Sequence, residues 1–146
     1  MKKLIIGLLV VVAVGGIGWA LFERHERAGL VKKSEQSCDG RDQPASGAPA
    51  NLPLGLPRSP TETVLSVTTQ GKTTIVFVKT PGGRSDIVKV RDRVLLELSG
   101  AGYTVKGTDQ EPGYEAEAEL QGTHNGTIKV SPLCTGLLEV RYKIEQ

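Results

Sequence analysis

The chain has 146 residues with 18 Lys/Arg against 16 Asp/Glu, and the net charge of +2 is unevenly placed: residues 1–58 carry eight basic and five acidic side chains, residues 59–146 ten and eleven. The second part is therefore net −1, which excludes the basic face that a nucleic-acid footprint requires. Two cysteines, Cys38 and Cys134, stand outside any CxxC or other metal-ligand spacing.

Leu4 to Phe22, LIIGLLVVVAVGGIGWALF, contains no charge and follows Met1-Lys2-Lys3. At about 1.5 Å per helical residue the run is close to the ~30 Å hydrocarbon core of a bilayer. Hydrocarbon offers no partner to backbone N–H and C=O groups, so a spanning segment is expected to be helical. Trp19 suits the interface. A cleaved signal peptide has a shorter apolar run of about 7–15 residues and an A-x-A-like site. Here the best site is the weak Gly18-Trp19-Ala20. The expectation is an uncleaved signal anchor over residues 1–27 that makes the chain a single-pass protein of the cell membrane. Lys2 and Lys3 favour a cytoplasmic N-terminus, although Arg24, Arg27, Lys32 and Lys33 on the far flank pull the other way. The early position of the run and the cysteine pair place the body of the chain outside the cytoplasm.

Residues 28–58 lack periodicity and include the run Gln43-Pro44-Ala45-Ser46-Gly47-Ala48-Pro49-Ala50. Such a composition buries little apolar surface, so it is expected to be a flexible, partly extended linker that holds the domain off the membrane. Leu52, Leu54 and Leu56 offer an alternative, docking on the domain. In an oxidising compartment Cys38 and Cys134 are expected to form one disulfide that ties this stretch to the C-terminal part of the domain.

The folded domain is expected over residues 59–146. Ser59-Pro60-Thr61-Glu62 has the form of a capping box, but the β-branched run Thr63–Thr69 that follows favours a strand. Thr73–Thr80 is a second strand. A two-residue turn at Gln70-Gly71 would make the two a hairpin, with Leu65 opposite Val76 and Val67 opposite Thr74. After Pro81-Gly82-Gly83-Arg84, Ser85 or Asp86 caps a helix whose Ile87, Val90, Val94, Leu95 and Leu98 form one apolar stripe, with Arg84, Arg91 and Arg93 read as solvated charges. Gly100 or Gly102 ends it. Tyr103–Lys106 starts another strand, followed by a turn or a bulged crossing at Thr108–Gly113. Tyr114–Gln121 alternates, with Tyr114, Ala116, Ala118 and Leu120 facing in and Glu115, Glu117 and Glu119 out. A three-residue loop, His124-Asn125-Gly126, would pair Thr123 with Thr127 and Leu120 with Val130, giving Gly126 a left-handed conformation. Pro132–Gly136 reads as a turn. Leu138, Val140, Tyr142 and Ile144 alternate with charged residues in a last strand. The sum is an α+β domain: a mostly antiparallel sheet with one covering helix.

The chemistry-bearing residues are few. His25 is juxtamembrane and His124 lies at a hairpin tip, neither in a metal or nucleophile motif. Gly82-Gly83-Arg84 before a helix has the place of an anion site but not the GxxxxGK[ST] form. Asn125-Gly126-Thr127 matches a glycosylation sequon, and turn chemistry accounts for the same residues. Glu115, Glu117 and Glu119 project about 7 Å apart and make a candidate surface for a basic partner, with Lys129, Lys143 or Arg141 as neutralising neighbours. No cofactor, metal ligand set or catalytic residue is assigned. The sequence reading is a non-enzymatic, membrane-anchored extracytoplasmic domain that binds an envelope protein, with a small-ligand or lipid-binding domain as the alternative.

Overall fold

The computed structural model describes residues 27–146; the run Leu4–Phe22, and with it the expected membrane helix, lies outside the described residues. No helix among the described residues is long and apolar enough to cross a membrane. The elements are α1 (residues 27–35), β1 (Thr63–Gln70), β2 (Thr73–Pro81), α2 (Ile87–Gly100), β3 (Thr104–Glu111), β4 (Glu115–Gln121), β5 (Asn125–Cys134) and β6 (Leu137–Glu145). The six strands form one antiparallel sheet in the order β1-β2-β6-β5-β4-β3. The β1–β2 hairpin is joined through α2 to the far edge, and β3 to β6 then return as a meander that closes on β2.

The α+β class follows from two periods. Alternation puts Val76, Val78, Ala116, Ala118, Leu120, Ile128, Val130, Val140, Tyr142 and Ile144 on the inner face of the sheet. The 3.6-residue period puts Ile87, Val90, Val94 and Leu98 against them. Leu98, Val94, Ile128 and Ile144 are fully buried, each side chain contributing about 1.5–3 kcal/mol to folding. The helix ends as expected at Gly102, which has φ +90. The Gly102 and Tyr103 amides donate to the Ser99 and Leu98 carbonyls at 3.1 and 3.0 Å, a Schellman closure.

Two registers differ from expectation. In the first hairpin the turn is Gly71-Lys72, with Gln70 opposite Thr73 and Val67 opposite Val76, and a bulge falls between Val64 and Ser66. Gly71, at φ +58, takes the first central position of the turn, where a type II′ geometry requires glycine. Between β4 and β5 the loop is Gly122-Thr123-His124, with Leu120 opposite Gly126 and Ala118 opposite Ile128. Gly126 has no positive φ; a Cβ there would collide with the Lys143 carbonyl oxygen and meet Ile144 Cδ1 at 2.7 Å. Close approach of β6, not turn conformation, requires the glycine. Thr108–Glu111, expected as a turn, continues β3, and Pro132 lies within β5, beyond the last β4 partner of that strand.

The stretch 28–58, expected to be a spacer, lies against the domain over much of its length. Leu52 and Leu56 are buried in the main core. Cys38 packs with Leu65, Phe77, Leu133 and Leu137 in a second cluster on the outer face. Ala45 N–H donates to the Leu65 carbonyl at 2.7 Å, which covers part of the β1 edge. The expected disulfide, Cys38–Cys134, is present, with Cα atoms 5.0 Å apart across a separation of 96 residues.

Candidate functional site

The outer face of β4 carries the three glutamates. Lys129 on β5 stands directly opposite Glu117 and bridges two of them: its Nζ pairs with Glu115 and, at 3.0 Å, with Glu117. Burial alone would push the Lys129 ammonium down, but the hydrogen bonds and charges of Glu115 and Glu117 outweigh it and hold the group above its usual range. Glu115 thus belongs to an internal ion-pair cluster, while Glu117 shares Lys129 but keeps 44% of its side chain exposed. α1 also approaches it, since Leu30 and Lys33 line a groove with Glu115, Lys129, Glu139 and Arg141. Burial raises the Glu139 carboxyl, with Lys33 and Arg141 opposing the rise.

Glu119 is exposed. With Glu117 of β4 and Asp109 of β3 it borders a shallow surface concavity floored by Gly107, Ala118 and Thr127. β3 is the edge of the sheet, and every residue from Thr104 to Gln110 is exposed. An edge strand presents unpaired backbone donors and acceptors, which a second chain can use. The acidic surface is therefore an edge-and-face site of Asp109, Glu117 and Glu119, rather than the row of three on β4 alone.

A second polar cluster was not legible in the sequence. The Glu62 side chain is fully buried beside α2, where Oε1 accepts from Arg93 Nη2 at 2.8 Å and Oε2 from the Ser59 amide at 3.2 Å. Arg93 also reaches Thr61 and Thr80 hydroxyls at 3.3 Å. Burial pushes the Glu62 carboxyl up; Arg93 and the Ser59 amide oppose it and Glu97 adds to it. Tyr142 Oη and Glu97 Oε2 are buried with no hydrogen-bond partner among the described residues, and burial together with the charges of Glu62 and Glu97 pushes the Tyr142 phenol far up. The capping-box residues thus form a turn whose carboxylate neutralises a helix arginine. Arg93, expected in solvent, is a structural partner. Arg91 is likewise buried, donating to Asp92 Oδ1 at 2.8 Å and to the Asp109 carbonyl at 3.3 Å.

At the end of the sheet where β4 begins, Tyr114 is only half-buried. The guanidinium carbons of Arg84 and Arg27 lie 4.9 and 5.7 Å from its ring centroid. Arg84 Nε donates to the Gly113 carbonyl at 2.7 Å, and Arg27 pairs with Glu111 at 3.2 Å.

The remaining candidates are dispersed. His25 lies outside the described residues, and His124 sits in the β4–β5 loop. At Gly82-Gly83-Arg84 the Gly83 amide already donates to Asp86 Oδ2 at 3.0 Å, so the chain's own carboxylate takes the anion position. Among the described residues no group of three His, Cys, Asp or Glu is gathered as a metal-ligand set. No family model, no curated protein and no solved structure matches the chain.

Proposed function

We propose that the chain is a single-pass membrane protein, N-terminus cytoplasmic, whose extracytoplasmic domain is a non-enzymatic binding module for a basic, extended segment of an envelope protein. The observation that carries this reading is the exposed edge strand β3 beside Asp109, Glu117 and Glu119. Backbone pairing along an open edge supplies affinity, and the carboxylates on the adjoining face supply selection for Lys or Arg side chains. Support for export comes from the Cys38–Cys134 disulfide, a bond of oxidising compartments. The interval between α2 and the sheet is occupied by Ile87, Val90, Val94 and Leu98, which favours surface binding over a ligand held between helix and sheet.

The test is site-specific photo-crosslinking in cells from Thr108 on the edge and from Thr68 on β1. A discrete product from Thr108 that disappears with Asp109→Lys/Glu119→Lys supports the reading. Products identical from both positions, or insensitive to the charge reversal, overturn it.

A further inference from the structure

Only residues 23–26 separate Arg27 from Phe22, the end of the uncharged run. That interval spans at most about 17 Å extended and about 7 Å as helix. Arg27 is fixed on the domain, through the Glu111 carboxylate and the Tyr114 ring. Arg27 of α1, the Glu111–Tyr114 turn and Arg84 before α2 therefore converge at one end of the sheet. The β4–β5 loop and the C-terminus lie at the other end, about 23 Å away along β4.

Given the anchor proposed above, on which this inference rests, we infer that the end built from Arg27, Arg84 and Tyr114 rests on the bilayer and meets anionic lipid headgroups. The chemistry fits that occupant. A tyrosine ring with a polar tip belongs at headgroup level. Among the described residues Arg84 commits Nε to the Gly113 carbonyl, which leaves the two terminal amino groups of its guanidinium for phosphate oxygens. Arginines at the membrane surface gain from the negative potential of anionic lipid. The short interval keeps this end within reach, because residues 28–58 wrap the domain and do not separate it from the anchor.

The chain contains a single tryptophan, Trp19, inside the apolar run. This makes it a built-in reporter. The full chain is reconstituted in phosphatidylcholine/phosphatidylglycerol vesicles containing a headgroup spin-labelled lipid as quencher. Three reporters are compared: Trp19 itself, Trp19→Phe/Tyr114→Trp, and Trp19→Phe/Thr123→Trp at the opposite end. Trp19→Phe/Pro112→Trp, at an exposed position of the same turn, stands in if the Tyr114 variant does not fold. The expected result is quenching at position 114 or 112 about twofold or more above that at 123, since the two ends differ by roughly 23 Å. It should weaken with Arg27→Gln/Arg84→Gln and in vesicles of phosphatidylcholine alone. Equal quenching at 114, 112 and 123, with Trp19 quenched and the chain floating with the vesicles, overturns this inference and leaves the anchor standing. Quenching that ignores both arginines and lipid charge overturns the headgroup contact. A chain that does not float, with Trp19 unquenched, overturns the anchor and this inference together.

Discussion

Removing the disulfide by Cys38→Ala/Cys134→Ala measures how residues 28–58 are held on the domain. The bond closes a loop with a separation of 96 residues. In the chain-entropy treatment such a loop costs the unfolded state about 4.7 kcal/mol. That full loss is reached only if the strap stays in place without the bond. Besides Leu52 and Leu56 in the main core, the strap is held by Thr135 N–H and Oγ1 donating to the Gln36 carbonyl at 2.9 Å, Lys79 Nζ to the Asp42 carbonyl at 2.7 Å, and Ala45 N–H to the Leu65 carbonyl. Beneath them lies the cluster of Leu65, Leu133, Phe77 and Leu137. If the strap lifts, the native state regains freedom, the loss shrinks, and the cluster is uncovered. With a urea m-value of about 2 kcal/mol/M, the full loss moves the midpoint down by roughly 2 M. The assay is urea unfolding of the full chain in detergent, paired with hydrogen exchange at the Ala45 amide. A lower midpoint, faster Ala45 exchange, or both, is expected. A midpoint within about 0.3 M of the parent with Ala45 protection unchanged would refute the claim that the bond holds the strap.

Two further substitutions test the packing and the buried carboxylate. Gly126→Ala forces a Cβ against the Lys143 backbone and should cost about 1–3 kcal/mol by the same unfolding assay. Gly107→Ala, where a Cβ meets nothing within 4 Å, is the control and should leave stability level or slightly higher. Glu62→Gln addresses pH. A carboxyl raised above 4.5 in the folded state contributes stability that is complete below that value and is lost as pH rises through the folded one. The stability of the parent relative to Glu62→Gln should therefore decline from about pH 4 upward, and a pH-independent difference would show that burial does not raise this group.

The strand faces were legible because the alternation is strong. β6 buries Leu138, Val140, Tyr142 and Ile144, as its sequence requires. Both register errors were even, two residues in the first hairpin and four in the β4–β5 pair, and an even slip keeps every side chain on its face. What an even slip hides is the partner across the strand. The observed register sets Glu117 opposite Lys129; the expected one would not have. Sequence alone predicts a turn at Gly126 because the neighbour that requires the glycine, the β6 backbone, is distant in sequence. Helical spacing alone predicts Arg84, Arg91 and Arg93 in solvent, yet they also meet the Gly113 carbonyl, the Asp109 carbonyl and the Glu62 carboxylate, from the β3–β4 turn, β3 and the residue before β1. In residues 28–58 the Pro/Gly composition outweighed the three features that tie the stretch down: Cys38, Leu52 and Leu56.

The proposed anchor and the strap together bear on how the binding edge is presented. If residues 28–58 clamp the domain, its distance from the bilayer is governed by residues 23–26, and the Glu111 end of β3 is nearest the lipid. From Glu111 to Thr104 β3 rises about 23 Å, placing Thr104 well into the aqueous space. Electrostatics favour that upright posture from both sides. Arg84 at the near end is drawn toward anionic headgroups, whereas the charge of Arg27 is balanced by Glu111. Asp109, Glu117 and Glu119 on the sheet face are repelled whenever the face tilts within a Debye length, about 8 Å, of the surface. A domain lying flat on its acidic face would gain neither contact. Raising ionic strength should therefore relax the orientation before it releases the chain, because the anchor does not depend on charge. A partner segment adding to β3 would have to run along the membrane normal within roughly 30 Å of the lipid, which selects envelope proteins with an extended basic stretch close to the bilayer.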